Sequence, residues 1–214
     1  ETTAPIEVKR KSAELAARQP ANPRLSIVVI FHEMQREARR TLYALSDQFQ
    51  VGASQEDYEV IAVENGTQTL DPDWVRSHGA NFRYYFHETN SPSPAAAVNM
   101  GAAQARAPFI ALIVDGARIP SPGLIRMTLA AFRAFRPCFV SALAWQLGPD
   151  IQRKSVLDGY SKEAEDELLA SIDWKNRGYD LFNVSTIAPS SQCGFLNGLP
   201  REASWIALPL TKFK

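Results

Sequence analysis

Four short apolar runs, LSIVVIF (25–31), YEVIAVENG (58–66), FRYYFHE (82–88) and PFIALIVDG (108–116), alternate along the chain with segments whose apolar residues recur at helical spacing. The first, second and fourth runs are nearly continuous and rich in β-branched residues, as expected of strands covered on both faces. Between them, REARRTLYALSDQF sets Ala38, Leu42, Leu45 and Phe49 along one helical face, with basic residues on the opposite face. DPDWVRSHG predicts a short helix stopped by Gly79, and PAAAVNMGAAQARA predicts a helix of small residues. Strands alternating with helices imply a largely parallel α/β sheet wound by right-handed crossovers, with ligands beyond the carboxyl ends of the strands. Three such ends, Phe31–Glu33, Glu64–Gly66 and Asp115–Gly116, are expected to converge on one crevice.

Past this core, SPGLIRMTLAAFRAFR predicts a helix begun by Ser121 and Pro122, with Leu124, Met127, Leu129 and Phe132 free to pack. PCFVSALAWQLG reads as one further strand. SKEAEDELLASIDW reads as a helix started by Ser161, its acidic residues placed well against the helix dipole. The charged opening segment predicts an arm, with Ile6, Leu15 and Ala16 on one side of a short helix closed by Pro20 and Pro23. The organisation expected is an arm over 1–23, a ligand-binding half over 24–123 and a second half over 124–214.

Composition narrows the function. The 214 residues are 45% hydrophobic, enough for one substantial core. Lys plus Arg and Asp plus Glu number 23 each, so no net field draws the whole molecule to nucleic acid or an anionic membrane. Cys138 and Cys193 lack zinc-ligand spacing and require no oxidising compartment, which makes a cytoplasmic location the default expectation. No apolar run reaches the ~20 residues of a membrane span, so any membrane association would come through regions outside this chain. Homo-oligomer formation is left open.

The order of the motifs from Leu25 to Leu124 resembles the family 2 glycosyltransferases of the GT-A fold. LSIVVIFHE stands where that family has a strand and a Pro-Thr-Tyr-Asn type loop, and YEVIAVENGTQ where it has a strand ending Asp-Asp-Gly-Ser-Thr. NSPSPAAAVN is similar to its small-residue Arg-Asn segment, and IALIVDGARIPSPGL to its Asp-x-Asp strand with a trailing Pro. The resemblance implies that Phe31, His32, Glu33, Glu64, Asn65 and Gly66 border a nucleotide, with Glu64 replacing the usual Asp. A carboxylate there can accept the imide N–H of uracil, which fits a uridine nucleotide. Asn90 and Asn99 bracket a segment, Ser93 within it, whose small side chains would let backbone approach the sugar diphosphate, although Asn90 and Ser93 also suit capping a helix.

Asp115 carries the metal expectation: Mg²⁺ or Mn²⁺ held through this carboxylate, phosphates and waters, although the family's second acid is missing from Asp115-Gly116-Ala117. Arg118 is placed to pair with Asp115 or with phosphate. WQLGPDIQ, GYSKEAEDELL and PREASWIALPLTKFK are similar to a bacterial subset of the family in which a Gly-Gly-Phe-Asp-Glu type segment follows. The sequence stops before that segment, so the usual catalytic base is expected to be missing. Glu202 and Asp150 are the substitutes. Glu163, Glu165, Asp166 and Glu167 read as a charged solvent face.

The function so implied is transfer of a sugar, with inversion, from a nucleoside-diphosphate sugar to an unidentified saccharide, lipid or protein acceptor. The rival reading is a degenerate, non-catalytic GT-A module kept for binding or assembly. A nucleotidyltransferase would want a Gly-rich, basic loop after the first strand, and FHEMQ is neither.

Overall fold

The computed structural model describes residues 22–189, 191 and 204–213. Its first half is the expected alternation: β1 (Leu25–Phe31), α1 (Gln35–Leu45), β2 (Tyr58–Asn65), α2 (Pro72–Arg76), β3 (Phe82–His87), α3 (Ala95–Ala103) and β4 (Phe109–Ile113). Then follow α4 (Leu124–Ala134), β5 (Val140–Ala142), β6 (Trp145–Leu147), α5 (Gln152–Leu157), α6 (Lys162–Ala170), a 3₁₀ turn (Gly178–Val184), β7 (Ser185–Ile187) and β8 (Trp205–Pro209). The main sheet has six strands in the order β3-β2-β1-β4-β8-β5; β3, β2, β1 and β4 are mutually parallel, and β8 is antiparallel to both neighbours.

Every residue of β1 is buried because the strand lies between two apolar layers. Leu25, Ile27, Val29 and Phe31 face Ala38, Leu42 and Leu45 of α1 and Ile125, Leu129 and Phe132 of α4. Val28 and Ile30 face the other way, with Ile61, Val63, Ile110 and Leu112, towards Ala97 of α3. The small residues of α3 bring its backbone onto the sheet, so that a Cβ on Gly101 would lie 2.4 Å from Val28 Cγ1. Asp71 starts α2 by accepting the Asp73 N–H at 2.9 Å, with Pro72 at the first helical position. Ser161 starts α6 by accepting the Ala164 N–H at 3.3 Å.

Two expectations are corrected. Helix α4 begins at Leu124, after Gly123 rather than at Ser121, and Met127 points outward while Ile125 packs in its place. The run PCFVSALAWQLG is two strands: β5 joins the main sheet beside β8, while β6 pairs with β7 in a separate two-stranded sheet. The chain leaves the main sheet at Ala144, whose N–H donates to Ser191 Oγ at 2.8 Å and whose carbonyl accepts the Ala188 N–H at 3.0 Å. Strand β8, late in the chain, pairs with β4 of the first half. The expected arm helix over 1–20 lies outside the described residues.

At the amino edge of the sheet, Glu59 is completely buried and bound by Ser26 and two arginines. Its carboxylate accepts from Ser26 Oγ at 2.7 Å, Arg83 at 2.9 Å and the Arg106 backbone and side chain at 2.8 Å. Among the described residues, no helix is long and apolar enough to cross a membrane.

Candidate donor-binding cleft

Strand β1 has β2 on one side and β4 on the other, so the chain's crossovers diverge at the carboxyl ends of β1 and β4. A doubly wound sheet opens a crevice at such a switch point. A cleft of about 990 Å³ lies there, bordered by His32 and Glu33 after β1, Asp115 and Arg118 after β4, and Arg36, Arg40 and Thr41 of α1. The register places Phe31 beside Glu64, and Val29 beside Ile113, so Asp115 projects just past the end of β4 level with Phe31. Asp115 is partly exposed, as the apolar run ending at a glycine implies.

The loop after β4 is tightly positioned. Gly116 packs so closely on β1 that a Cβ there would come 2.3 Å from Phe31 Cδ1 and 2.6 Å from the Ile30 carbonyl oxygen. Thr41 Oγ1 donates to the Gly116 carbonyl at 2.5 Å and accepts the Arg118 N–H at 3.3 Å, fastening the loop to α1. Asp115 Oδ1 accepts the Ala117 N–H at 3.1 Å, and Oδ2 pairs with the Arg118 guanidinium at 2.9 Å.

At the first strand end His32 and Glu33 border the cleft, while Phe31, expected to border it as well, does not. Phe31 is buried beneath the cleft, and His32 and Glu33 are exposed. His32 Nδ1–H donates to the Asn65 carbonyl at 2.8 Å, which leaves Nε2 as the ring's other polar atom. Glu33 has φ +54°, a left-handed conformation that turns the chain sharply out of the strand.

The second strand end is different. The Glu64 carboxylate is wholly buried and accepts four donors of its own chain: the Thr69 and Leu70 N–H groups, the Thr69 hydroxyl and the Tyr84 hydroxyl, at 2.6–3.2 Å. It therefore shapes the loop after β2 and does not border the cleft. That hydrogen bonding pushes the Tyr84 hydroxyl well above the usual tyrosine range, behind burial as the larger cause. Asn65 is equally internal: Oδ1 accepts from His87 Nδ1–H at 3.0 Å, and Nδ2 donates to the Ser91 and Ser93 carbonyls at 3.4 Å. Gly66, with φ +95°, turns under the His32 ring. Glu64→Gln is accordingly expected to lower stability by about 1–3 kcal/mol, because one amide oxygen cannot serve four donors. Chemical denaturation, set beside UDP affinity, checks it; a variant of native stability with weakened UDP binding would return Glu64 to the site.

Asn90, Ser93 and Asn99 are exposed and none borders the cleft, α3 being packed on the opposite face of the sheet. Ser93 Oγ accepts the Ala95 N–H at 3.4 Å in the turn before α3, whose N-cap position is Pro94.

A feature unforeseen in the sequence closes one side of the cleft. Arg36 donates to Glu165 at 3.0 Å and Asp166 at 2.9 Å, and Arg40 pairs with the same two carboxylates. Glu165 and Asp166 of α6 are thus fastened to the basic face of α1, while Glu163 and Glu167 stay exposed as expected. The complementary charge of REARR and EAED was the available signal. Beside this network the Tyr160 hydroxyl is buried with no hydrogen-bond partner, and burial with the nearby Glu165 charge pushes its pKa up to about 12. Trp145 and Phe182, edge to face at 4.9 Å, form a partly exposed aromatic wall.

The glycosyl transferase family 2 model matches residues 26–178, from β1 through α6 to the first residue of the 3₁₀ turn. The chain belongs to glycosyl transferase family 2. Among solved structures similar to it are S. aureus TarS 1–349 (18% identity, 54% of this chain and 34% of that chain, TM-score 0.49). The same TarS fragment in complex with UDP gives 19% identity, the same coverages and a TM-score of 0.48. A mycobacterial protein gives 16% identity over 93% of this chain and 57% of that chain, with a TM-score of 0.42. The chain thus spans about a third of the length of the TarS fragment. No curated protein matches it.

The remaining candidate acids are engaged locally or lie outside the described residues. Asp150 does not border the cleft: Oδ1 accepts the Ile151 N–H at 2.8 Å and Oδ2 pairs with Lys154. The Lys154 hydrogen bond, with that of the Ile151 N–H, holds its carboxyl below the usual range, which makes it a weaker base. Glu202 lies outside the described residues. No group of three or more His, Cys, Asp or Glu disposed to hold a metal exists among the described residues. Asp115 stands alone in its loop with Arg118 already against it. A carboxylate neutralised by a guanidinium does not fit a divalent ion held by the chain.

Proposed function

We propose that this chain binds a nucleoside-diphosphate sugar, of the uridine class, and serves its transfer with inversion to an acceptor hydroxyl. The observation that carries this is the cleft at the β1–β4 switch point, bordered by His32, Asp115 and Arg118, in a chain of family 2. In the reaction the acceptor oxygen forms a bond to the anomeric carbon as that carbon's bond to the diphosphate breaks. The diphosphate leaves with the bonding pair, and the hydroxyl proton passes to a base.

The chain's own residues divide this work. Phe31, Gly116 and Thr41 fix the loop that presents Asp115 to the ribose and diphosphate side. The aromatic wall of Trp145 and Phe182 suits an acceptor with a sugar ring, whose apolar face can lie against an exposed aromatic. Glu202, two residues before the cleft-bordering Ser204 in sequence, is the carboxylate proposed to take the proton.

The second reading, binding without turnover, is favoured by the solitary Asp115. Calorimetric titration of UDP, followed by assay of sugar release from UDP-sugars, separates the readings. Binding with release supports the transferase, binding without release supports the module, and no binding of either ligand rejects both.

A further inference from the structure

We infer that Trp145, Phe182 and Tyr179 form a platform for an extended saccharide acceptor, with one of its sugar rings held outside the cleft on Tyr179. This deepens the transferase reading, whose acceptor it takes to be a chain of sugars, and rests on it. The segment GYDLFNV (178–184) forms the 3₁₀ turn, in which side chains three residues apart lie one above the other. That spacing sends Gly178 and Leu181 into the core and leaves Tyr179 and Phe182 together on the outer side, 58% and 40% exposed. Their rings are nearly parallel with centroids 6.3 Å apart, and Phe182 also meets Trp145 edge to face. Phe182 and Trp145 border the cleft, and Tyr179 continues the row beyond it.

The turn is held from beneath. A Cβ on Gly178 would lie 2.4 Å from Pro122 Cγ and 2.6 Å from Phe49 Cζ, and Leu181 is buried among Ala44, Phe49, Leu169 and Trp174. Contiguous aromatic rings left in water on an anchored backbone forgo burial that would stabilise the fold, which marks a binding surface. Phe135 and Phe139 are also exposed, but neither borders the cleft. The polar neighbours select sugar over lipid. Gln146 Oε1 accepts the Gln152 N–H at 2.7 Å, and both residues border the cleft with their side-chain NH₂ groups unpartnered among the described residues. A sugar ring offers an apolar C–H face to the aromatics and hydroxyls to such amides, whereas a hydrocarbon chain would leave the amides without partners.

The platform's rings and amides are uncharged, so the probes are neutral: cellotetraose, chitotetraose, maltotetraose and laminaritetraose, with glucose and N-acetylglucosamine for comparison. Titrations followed by tryptophan fluorescence are run on the native chain, Tyr179→Ala and Tyr179→Phe. The native chain should bind at least one tetrasaccharide more tightly than its monosaccharide. Tyr179→Ala should weaken that tetrasaccharide about two- to tenfold and leave the monosaccharide unchanged, while Tyr179→Phe, which keeps the ring, should retain the native affinity. Native UDP affinity in Tyr179→Ala shows that the variant is folded. Binding of no tetrasaccharide, or equal tetrasaccharide affinity in the native and Tyr179→Ala chains, would overturn the inference. So would cosedimentation with phosphatidylglycerol vesicles that Tyr179→Ala abolishes, which would give the platform to a lipid. UDP binding without saccharide binding overturns the platform alone; no UDP binding overturns the donor reading and, with it, the platform's role in transfer.

Discussion

Replacing Glu59 by glutamine is expected to lower stability by about 2–4 kcal/mol, the partial exposure of Arg106 bringing the figure below that of a fully buried pair. The substitution nearly preserves shape, so packing changes little. What changes is charge: Arg83 and Arg106 would face each other across a neutral amide beneath β2 and β3. For a chain of this size the thermal midpoint should fall by roughly 4–16 °C. Burial would raise the Glu59 pKa, but the hydrogen bonds from Ser26, Arg106 and Arg83 outweigh it and hold the value below the ordinary one. A depressed carboxylate contributes stability above its unfolded pKa, about 4.3, and loses it as pH falls through the lower folded value. The difference between native and Glu59→Gln chains should therefore be full at neutral pH and shrink below about pH 4. Denaturation curves at both pH values decide it, and equal stability at neutral pH would show the network to be incidental. UDP affinity of the folded variant should be unchanged, because Glu59 lies at the amino edge of the sheet and the cleft at the carboxyl edge.

The parallel core was legible because its strands are buried on both faces and its helices present one apolar stripe, both properties of contiguous residues. LSIVVIF and PFIALIV could hardly be anything but central strands once helices were placed between them. What local pattern could not show was partner choice. Nothing in PCFVSALAWQLG marks the point at which it changes sheets, and nothing in SWIALPL says that it enters antiparallel between β4 and β5. The site divided in the same way. Asp115, His32 and Glu33 were placed correctly because strand ends at a switch point must lie together. Glu64 ends its strand level with Phe31 as expected, yet its carboxylate turns inward, because Thr69, Leu70 and Tyr84 offer it more donors than the cleft could. The α1–α6 network joins residues 36 and 40 to 165 and 166, a contact that only complementary charge foreshadowed.

A matched pair of glycine substitutions should separate stability from site geometry. Gly101→Ala places a methyl 2.4 Å from Val28 Cγ1, and Gly116→Ala places one 2.3 Å from Phe31 Cδ1 and 2.6 Å from the Ile30 carbonyl oxygen. Both overpack the same strand, from opposite faces, and each should cost about 1–3 kcal/mol. Their consequences for binding should differ. Helix α3 can move away from Val28 without disturbing the cleft, which it does not border. The loop after β4 cannot, because a methyl pressed against backbone must displace the loop itself. Asp115 and Arg118 would move with it, away from Thr41 and the end of β1. UDP affinity measured at a temperature where both variants are folded should be native in Gly101→Ala and reduced about tenfold or more in Gly116→Ala, 1.4 kcal/mol for each factor of ten. Equal affinities would mean that the Asp115–Arg118 loop does not touch the nucleotide, and the donor site would have to be sought elsewhere along the cleft.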